Sequence, residues 1–140
     1  MTLKLDQARA AIRGTFDAGG KAGMKPLSAI VLDAGGNVLA FERQDGSSPG
    51  KFAIAHGKAY GAVMLGMPSS AMMERAEKQP YFVAALNGAY GGAVIPVPGG
   101  ILIMEGETVI GALGVTGDTS DNDVTAGMAG LATAGLAGAA

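Results

Sequence analysis

The chain has 140 residues, a formal net charge of −2 at pH 7 and no cysteine. This length allows one hydrophobic core and predicts a single domain over residues 1–140. The acidic balance excludes the basic surface that nucleic-acid binding requires, and the lack of cysteine excludes disulfides and thiolate chemistry.

Two further features of composition concern assembly and location. Only 16% of the residues are charged, against about 25% in an ordinary soluble protein, so we expect a homo-oligomer that buries the excess apolar surface. The first fourteen residues alternate charged and apolar side chains and lack the apolar run of a signal peptide. We therefore expect a cytoplasmic protein.

The first half of the chain predicts a helix, a β-hairpin and a second helix. Apolar residues recur at helical spacing from Leu5 to Phe16, and glycines at 19, 20 and 23 end that helix. Two strands, Leu27–Asp33 and Val38–Arg43, are joined by a glycine-rich turn. After a polar loop, a helix is predicted from Phe52 to Leu65, with Phe52 on its buried face.

The second half predicts short helices, another hairpin and a last helix. Ser70 is placed as the cap of a short helix, and residues 81–92 as a helical turn and a loop. The second hairpin joins strands over residues 101–104 and 108–115. A capping box between Ser120 and Asp123 then begins the last helix. This order indicates an α+β protein with an antiparallel sheet of about five strands flanked by helices.

The last seventeen residues, Val124–Ala140, carry no charge. They are mostly alanine, glycine and threonine and fall short of the ~20 strongly apolar residues of a membrane span, so no membrane partner is predicted. Small side chains instead let helices approach closely, which we expect of the glycines at 127, 130, 135 and 138.

The stretch Val109–Asp123 joins an apolar strand, a glycine-rich turn at Gly117 and an acidic helix start. Such a joint is a candidate site for a small anionic ligand. The acids Asp118 and Asp121, with Asp123, could hold a cation, but their placement favours complementing the helix dipole.

His56 is the only histidine. It could ligate a metal or haem iron, act as a general base, or be an ordinary helix histidine. Tyr60, four residues on, shares its helix face, whereas Lys58 points elsewhere. Arg43 ends a strand and could bind a carboxylate, or form an ion pair with Asp45 or Glu42.

Several segments resemble a family of small haem-binding and haem-degrading-type proteins that is associated with glycolate-utilisation loci. The family also includes the C-terminal domain of some corrinoid adenosyltransferases. The matching segments occur in order over nearly the whole chain: Ala29-Ile-Val-Leu-Asp33, Phe41-Glu-Arg-Gln-Asp-Gly46, Ile54-Ala55 with Lys58-Ala59, Pro98-Gly-Gly100 and Gly111-Ala-Leu-Gly-Val-Thr-Gly117 before Asp123. Two positions depart from the family pattern: Leu102 replaces a proline, and Thr116 replaces a serine.

The resemblance implies a sheet flanked by helices, assembly into oligomers such as octamers, and haem as a cofactor. From the chemistry of the residues themselves we assign catalytic roles to His56, Lys58 and Asp123, with His56 also the candidate metal ligand. A further set of residues is assigned to ligand binding: Arg43, Tyr60, Gly99, Gly100, Thr116 and Gly117.

Three functions remain open on the sequence. The first is a haem-binding accessory protein that could also degrade or sense haem, with His56 or a methionine as axial ligand and Arg43 or Lys58 pairing the propionates. The second is an enzyme that moves a proton on a small carboxylated or hydroxylated metabolite in a catabolic pathway. The third is an oligomeric accessory protein without chemistry, in which Lys58 and Asp123 form an ion pair that fixes the fold.

Overall fold

The computed structural model describes residues 2–140 and contains five helices and five strands in that range. Their order along the chain is α1 Leu5–Lys21, β1 Ser28–Asp33, β2 Val38–Arg43, α2 Lys51–Leu65, α3 Ser69–Lys78, α4 Pro80–Ala89, β3 Gly100–Glu105, β4 Thr108–Thr116, α5 Ser120–Thr133 and β5 Ala137–Ala139. The strands form one antiparallel sheet in the order β2-β1-β4-β3-β5. The predicted α+β class and five-stranded antiparallel sheet are confirmed.

Helices cover both faces of the sheet. Alternate strand residues point to opposite sides, so Val31 and Leu113 pack with α1 and α5, whereas Ile30 and Ala112 pack with α2. The main core therefore lies under α1 and α5, and a smaller core lies under α2. This arrangement makes α2 the only long helix on its face.

The predicted close approach of helices is confirmed for α1 and α5. A Cβ added to Gly130 would lie 2.4 Å from the carbonyl oxygen of Ala11 and 2.2 Å from the hydroxyl of Thr15. The other three glycines assigned to this role do not contact another helix: Gly127 faces side chains of the sheet, Gly135 follows the end of α5, and Gly138 belongs to β5. The helix ends before them because Gly135 adopts a left-handed φ of 72°.

The ends of three other elements differ from the predictions. The N-cap of α5 is Thr119 rather than Ser120, and its hydroxyl accepts a hydrogen bond from the amide of Asn122. Helix α3 begins at Ser69, one residue before the predicted cap, because the preceding Pro68 has an extended backbone. Residues 80–89 form a full helix, which Pro80 can start because its first position needs no amide donor.

No helix among residues 2–140 is long and apolar enough to cross a membrane.

Candidate functional site

Helix α2 carries chemistry on two sides. Its buried side presents Lys58 toward the end of the sheet, and its outer side presents His56 and Tyr60. The structure therefore places Lys58 on a different face of the helix from His56 and Tyr60, as predicted. It follows from the helical repeat, in which positions four apart share a face and positions two apart do not.

Lys58 forms a buried ion pair with Asp123 in the first turn of α5. The ammonium nitrogen lies 3.2 Å from Oδ2 of Asp123 and donates a second hydrogen bond to the carbonyl oxygen of Val115 at 3.0 Å. The other carboxylate oxygen, Oδ1, accepts the amide of Asp118 at 3.0 Å. Lys58 is 2% exposed and Asp123 1% exposed, so this pair ties the helices on opposite faces of the sheet to one another.

Burial acts on both members of the pair. It lowers the pKa of the Lys58 ammonium, while the charge of Asp123 and its hydrogen bond act in the opposite direction. Burial raises the pKa of the Asp123 carboxyl, opposed by the Asp118 amide and by Lys58. Each charge is thus held in the protein interior by its partner, and removal of either would leave a charge without compensation.

Two of the three glycines assigned to ligand binding, Gly99 and Gly100, lie around Lys58, where they make room for α2. A Cβ added to Gly99 would lie 2.9 Å from the Lys58 ammonium nitrogen, and one added to Gly100 would lie 2.2 Å from the Lys58 carbonyl oxygen. The Gly100 amide donates to the hydroxyl of Ser69 at 2.7 Å. The glycines of the Pro-Gly-Gly segment are therefore explained by the close packing of this segment against α2.

The joint at the end of β4 is also occupied by protein groups. Thr116 is buried in the register pair with Ser28 of β1. A Cβ added to Gly117 would lie 2.3 Å from the carbonyl oxygen of Pro26. Because Asp123 places its own carboxylate at the start of α5, the position expected for an anionic ligand holds a side chain of the chain itself.

The outer side of α2 carries three aromatic rings stacked along the helix. The His56 imidazole lies between Phe52 and Tyr60, with ring centroids 5.8 and 5.2 Å apart and interplanar angles of 18° and 20°. Phe41 of β2 meets Phe52 edge-on at 4.8 Å, and Tyr90 meets Tyr60 edge-on at 6.2 Å. We call these five rings the aromatic ladder.

Phe52 differs from its prediction. It is 42% exposed and does not belong to the buried face of α2, because it lies on the same helical stripe as His56 and Tyr60. Phe52 and Tyr60 stack on the two faces of the imidazole, and its two nitrogen atoms lie on the ring edge between them.

His56 has no hydrogen bond to the protein among residues 2–140. Burial lowers the pKa of its imidazole from the ordinary value of 6.5. The neutral form therefore predominates at pH 7, and neutral imidazole is the form that ligates metals. Of the three residues assigned catalytic roles, His56 alone has its reactive atoms unengaged by the protein.

Arg43 lies apart from the ion pair. Its Nη1 donates a hydrogen bond to the carbonyl oxygen of Ser47 at 2.6 Å. The acceptor is thus neither Asp45 nor Glu42, the two predicted ion-pair partners. Arg43 also borders a surface cavity of about 540 Å³. Phe41 precedes Arg43 by two positions on β2, which places both on the same face of the sheet.

Sequence reasoning missed Phe41, Phe52 and Tyr90 as members of the site. The four-residue spacing of Phe52, His56 and Tyr60 could have indicated the stack. Phe41 and Tyr90 join it from other elements, which no local periodicity shows.

The model of the family described as "Haem degrading protein HbpS-like" matches residues 3–132. A crystal structure of HbpS shares 28% identity over 94% of this chain and 89% of that chain, with a TM-score of 0.81; a double mutant from Streptomyces reticuli has the same identity and TM-score. No curated protein matches.

Two more distant structures share the fold. The structure described as a PduOC:heme complex has a TM-score of 0.87 at 18% identity and covers 100% of both chains. The Klebsiella pneumoniae protein ORFY has a TM-score of 0.86 at 24% identity, with 96% of this chain and 92% of that chain covered.

Proposed function

The chain belongs to the HbpS-like family of haem-degrading proteins, and we propose that it binds haem on the outer face of α2 with His56 as an iron ligand. The observation that carries the proposal is the imidazole of His56, stacked between Phe52 and Tyr60, with no hydrogen bond to the protein among residues 2–140 and a lowered pKa. The haem complex of PduOC supports the choice of ligand for this fold.

The residues of the aromatic ladder fit a haem group in two respects. The neutral imidazole would supply a nitrogen ligand for iron, and the neighbouring rings would supply apolar surface beside a porphyrin. Bound haem would supply an iron centre able to change oxidation state. The protein's part is to present the imidazole edge in a fixed orientation and to exclude water with Phe52 and Tyr60.

The propionates require a cation at the edge of this surface. Lys58 is engaged by Asp123 and lies on the other side of α2, so it does not serve. Of the two predicted cations Arg43 remains, since it is an exposed residue on the same face of β2 as Phe41, with Nη1 donating to the carbonyl oxygen of Ser47. We assign one propionate to Arg43, with a bidentate geometry that arginine favours.

A hemin titration of the wild-type protein and His56→Ala tests this proposal. We expect a saturable shift of the Soret band in the wild type, and a weaker shift of different shape in the variant. His56 is the only histidine, so no other imidazole can replace it. Met73→Ala, at an exposed site on α3, is the matched control and should bind as the wild type does.

Three results would overturn parts of the proposal. An identical spectrum in His56→Ala would remove His56 as the ligand, and the absence of any saturable shift in the wild type would remove haem binding. Arg43→Ala should weaken hemin binding several-fold while leaving the shape of the spectrum unchanged. Unaltered affinity in that variant would remove Arg43 from the site.

Haem degradation, haem sensing and a cytoplasmic octamer are the finer parts of the proposal. The family description supports degradation. The low charged fraction and exposed apolar residues such as Val38 and Tyr81 support assembly. Release of iron from bound haem under a reductant would test degradation, and a 14 kDa particle in light scattering would contradict assembly.

The metabolite-enzyme alternative has less support from the contacts. It assigned anion binding to Lys58 and proton transfer to Asp123, yet the two groups bind one another in the protein interior. The ion pair instead favours the structural role that the third alternative gave to these residues.

A further inference from the structure

The aromatic ladder has different chemistry on the two sides of His56. On one side lie Phe52 and then Phe41, whose rings are not readily oxidised. On the other side lie Tyr60 and then Tyr90, whose phenols can each give up one electron and one proton. An oxidising equivalent formed at His56 therefore has a ready path in one direction only.

We propose that Tyr60 and Tyr90 form a one-electron relay that carries oxidising equivalents from a redox-active centre at His56 to the surface of the protein. This inference rests on the proposed function, since it requires such a centre. Consecutive centroids along the path are 5.2 and 6.2 Å apart, so each transfer joins rings that are close neighbours.

The relay consists of two balanced steps. A one-electron oxidant at His56, which in the proposed function is haem oxidised by a peroxide, takes one electron from Tyr60, and the phenolic proton passes to water. The neutral Tyr60 radical then takes one electron from Tyr90 and one proton from water, while the phenolic proton of Tyr90 passes to water. Tyr60 is restored, and the unpaired electron resides on Tyr90.

The position of Tyr90 suits the end of such a path. It follows the last residue of α4 and precedes Gly91 and Gly92, neither of which has a neighbouring atom within 4 Å of an added Cβ. A reductant from solution can therefore approach this turn. Tyr81, at the other end of α4, is 71% exposed and makes no ring contact with the ladder within residues 2–140, so the chain contains its own control tyrosine.

The relay can be tested without haem because His56 is the only histidine. A ruthenium(II) polypyridyl complex is bound to its imidazole, and a flash with an electron-accepting quencher generates ruthenium(III) at that site. A nitroso spin trap captures tyrosyl radicals, and mass spectrometry locates them among the three tyrosines. We expect trapped radical chiefly on Tyr90, with Tyr81 labelled several-fold less despite its greater exposure.

Two substitutions decide whether Tyr60 lies on the path. Tyr60→Phe keeps the stacked ring but removes the oxidisable phenol, and we expect a several-fold loss of trapped Tyr90 radical. Tyr81→Phe should leave it unchanged. Equal Tyr90 labelling in Tyr60→Phe, radical that stays on Tyr60, or preferential labelling of Tyr81 would each overturn the relay.

The same experiment separates this inference from the proposed function. Failure of the wild type to bind hemin would remove the haem proposal while the labelled protein still reports transfer from His56 to Tyr90. Conversely, hemin binding with no Tyr90 radical in the labelled protein would leave haem binding in place and remove the relay. Circular-dichroism melting of Tyr60→Phe shows that any loss comes from the missing phenol and not from unfolding.

Discussion

Lys58 and His56 lie two positions apart on α2, yet their surroundings are opposite. The Lys58 ammonium is in the protein interior with two hydrogen bonds to protein oxygens. The His56 imidazole lies on the outer side with two aromatic neighbours and no hydrogen bond to the part of the chain described. Lys58, whose ammonium is hydrogen-bonded to protein groups, stabilises the fold. His56, whose ring is held in place without a hydrogen bond from residues 2–140, is available to a ligand.

One helix therefore serves both architecture and function. The ion pair fixes α2 against α5 through Asp123, and the small residues on the buried side let the helix lie directly on the sheet. These contacts of the buried side also fix the position of the outer side. Substitutions on the two sides should consequently have different effects, and four predictions test that division.

The largest expected effect is on stability, from Lys58→Met. Removing one member of a buried ion pair should lower the free energy of unfolding by about 3–5 kcal/mol, because the Asp123 carboxylate is left without its counter-charge. Urea denaturation measures the change. The double variant with Asp123→Asn should regain much of the loss, since neither position then carries a charge and asparagine can still accept the Asp118 amide.

Lys78→Met on the exposed part of α3 is the matched control and should change stability by less than about 0.5 kcal/mol. Any Lys58→Met protein that remains folded should show the wild-type hemin spectrum. A change in that spectrum as large as the one from His56→Ala would break the proposed division between the two sides of α2.

The second prediction concerns the close packing of α2 on the sheet. A Cβ added at Gly114 of β4 would lie 2.2 Å from the carbonyl oxygen of Ala55. Gly114→Ala should therefore push the helix outward and cost about 1–3 kcal/mol, the usual range for overpacking. Because α2 carries both sides, this variant should also weaken hemin binding.

Gly88→Ala is the control for that prediction, and we expect it to change stability in the opposite direction. Gly88 lies inside α4 with no atom within 4 Å of an added Cβ, so alanine should stabilise the protein by about 0.5–1 kcal/mol. Urea midpoints of the two variants give both values. Equal effects of the two substitutions would show that α2 does not depend on Gly114 for its position.

The third prediction concerns the outer side of α2 alone. Phe52→Ala uncovers one face of the His56 ring, so the pKa of His56 should rise toward the ordinary value of 6.5. Proton NMR follows the single imidazole Hε1 resonance during a pH titration. Met73→Ala should not move this pKa, and an unchanged value in Phe52→Ala would mean that the stack does not shield His56.

The lowered pKa of His56 also determines whether stability rises or falls with pH. A histidine whose pKa is lowered in the folded state binds its proton first in the unfolded state, so its contribution to stability is present above about pH 6.5 and is lost as the pH falls below that value. The loss should be smaller in Phe52→Ala. Stability that rises on acidification through this range would contradict the direction of the pKa shift.

Much of the fold was accessible from local patterns in the sequence. Helix α1, both hairpins and the sheet class follow from periodicity and turn residues, which act between near neighbours in the chain. Element ends were less accessible: Thr119 rather than Ser120 caps α5 because the choice between adjacent hydroxyls depends on the path of the incoming strand.

The candidate site was accessible only in part. The shared face of His56 and Tyr60 follows from helical spacing, and the ion pair of Lys58 with Asp123 was one of the structural alternatives. Its geometry joins residues 65 apart in the chain, and Tyr90 reaches Tyr60 from another helix. Such contacts are set by tertiary packing, so the sequence could name the groups without showing which of them would be engaged.

The smallest expected effect is on the loss of stability in acid. Two carboxylates contribute to it: Asp118, beside the ion pair, and Asp33, in the hairpin near the aromatic ladder. Hydrogen bonds from Asn122 and from the Lys25 amide hold the pKa of Asp118 at about 2, below its ordinary 3.8. A carboxyl whose pKa is lowered on folding contributes stability above about pH 4 that is lost as the pH falls toward 2. Asp118→Asn should therefore flatten the fall in urea midpoint over this range.

Hydrogen bonds from Asn37 and the Gly35 amide also lower the pKa of Asp33. Asp33→Asn should flatten the same curve by acting on the hairpin whose Gly36 lies against Tyr60 and Met64. If only Asp118→Asn changes the acid curve, the ion-pair side opens first in acid, because Asp118 also supplies the amide bound by Asp123. If only Asp33→Asn changes the acid curve, the hairpin beside the ladder opens first. The ion-pair side of α2 then stays folded to lower pH than the side proposed to bind haem.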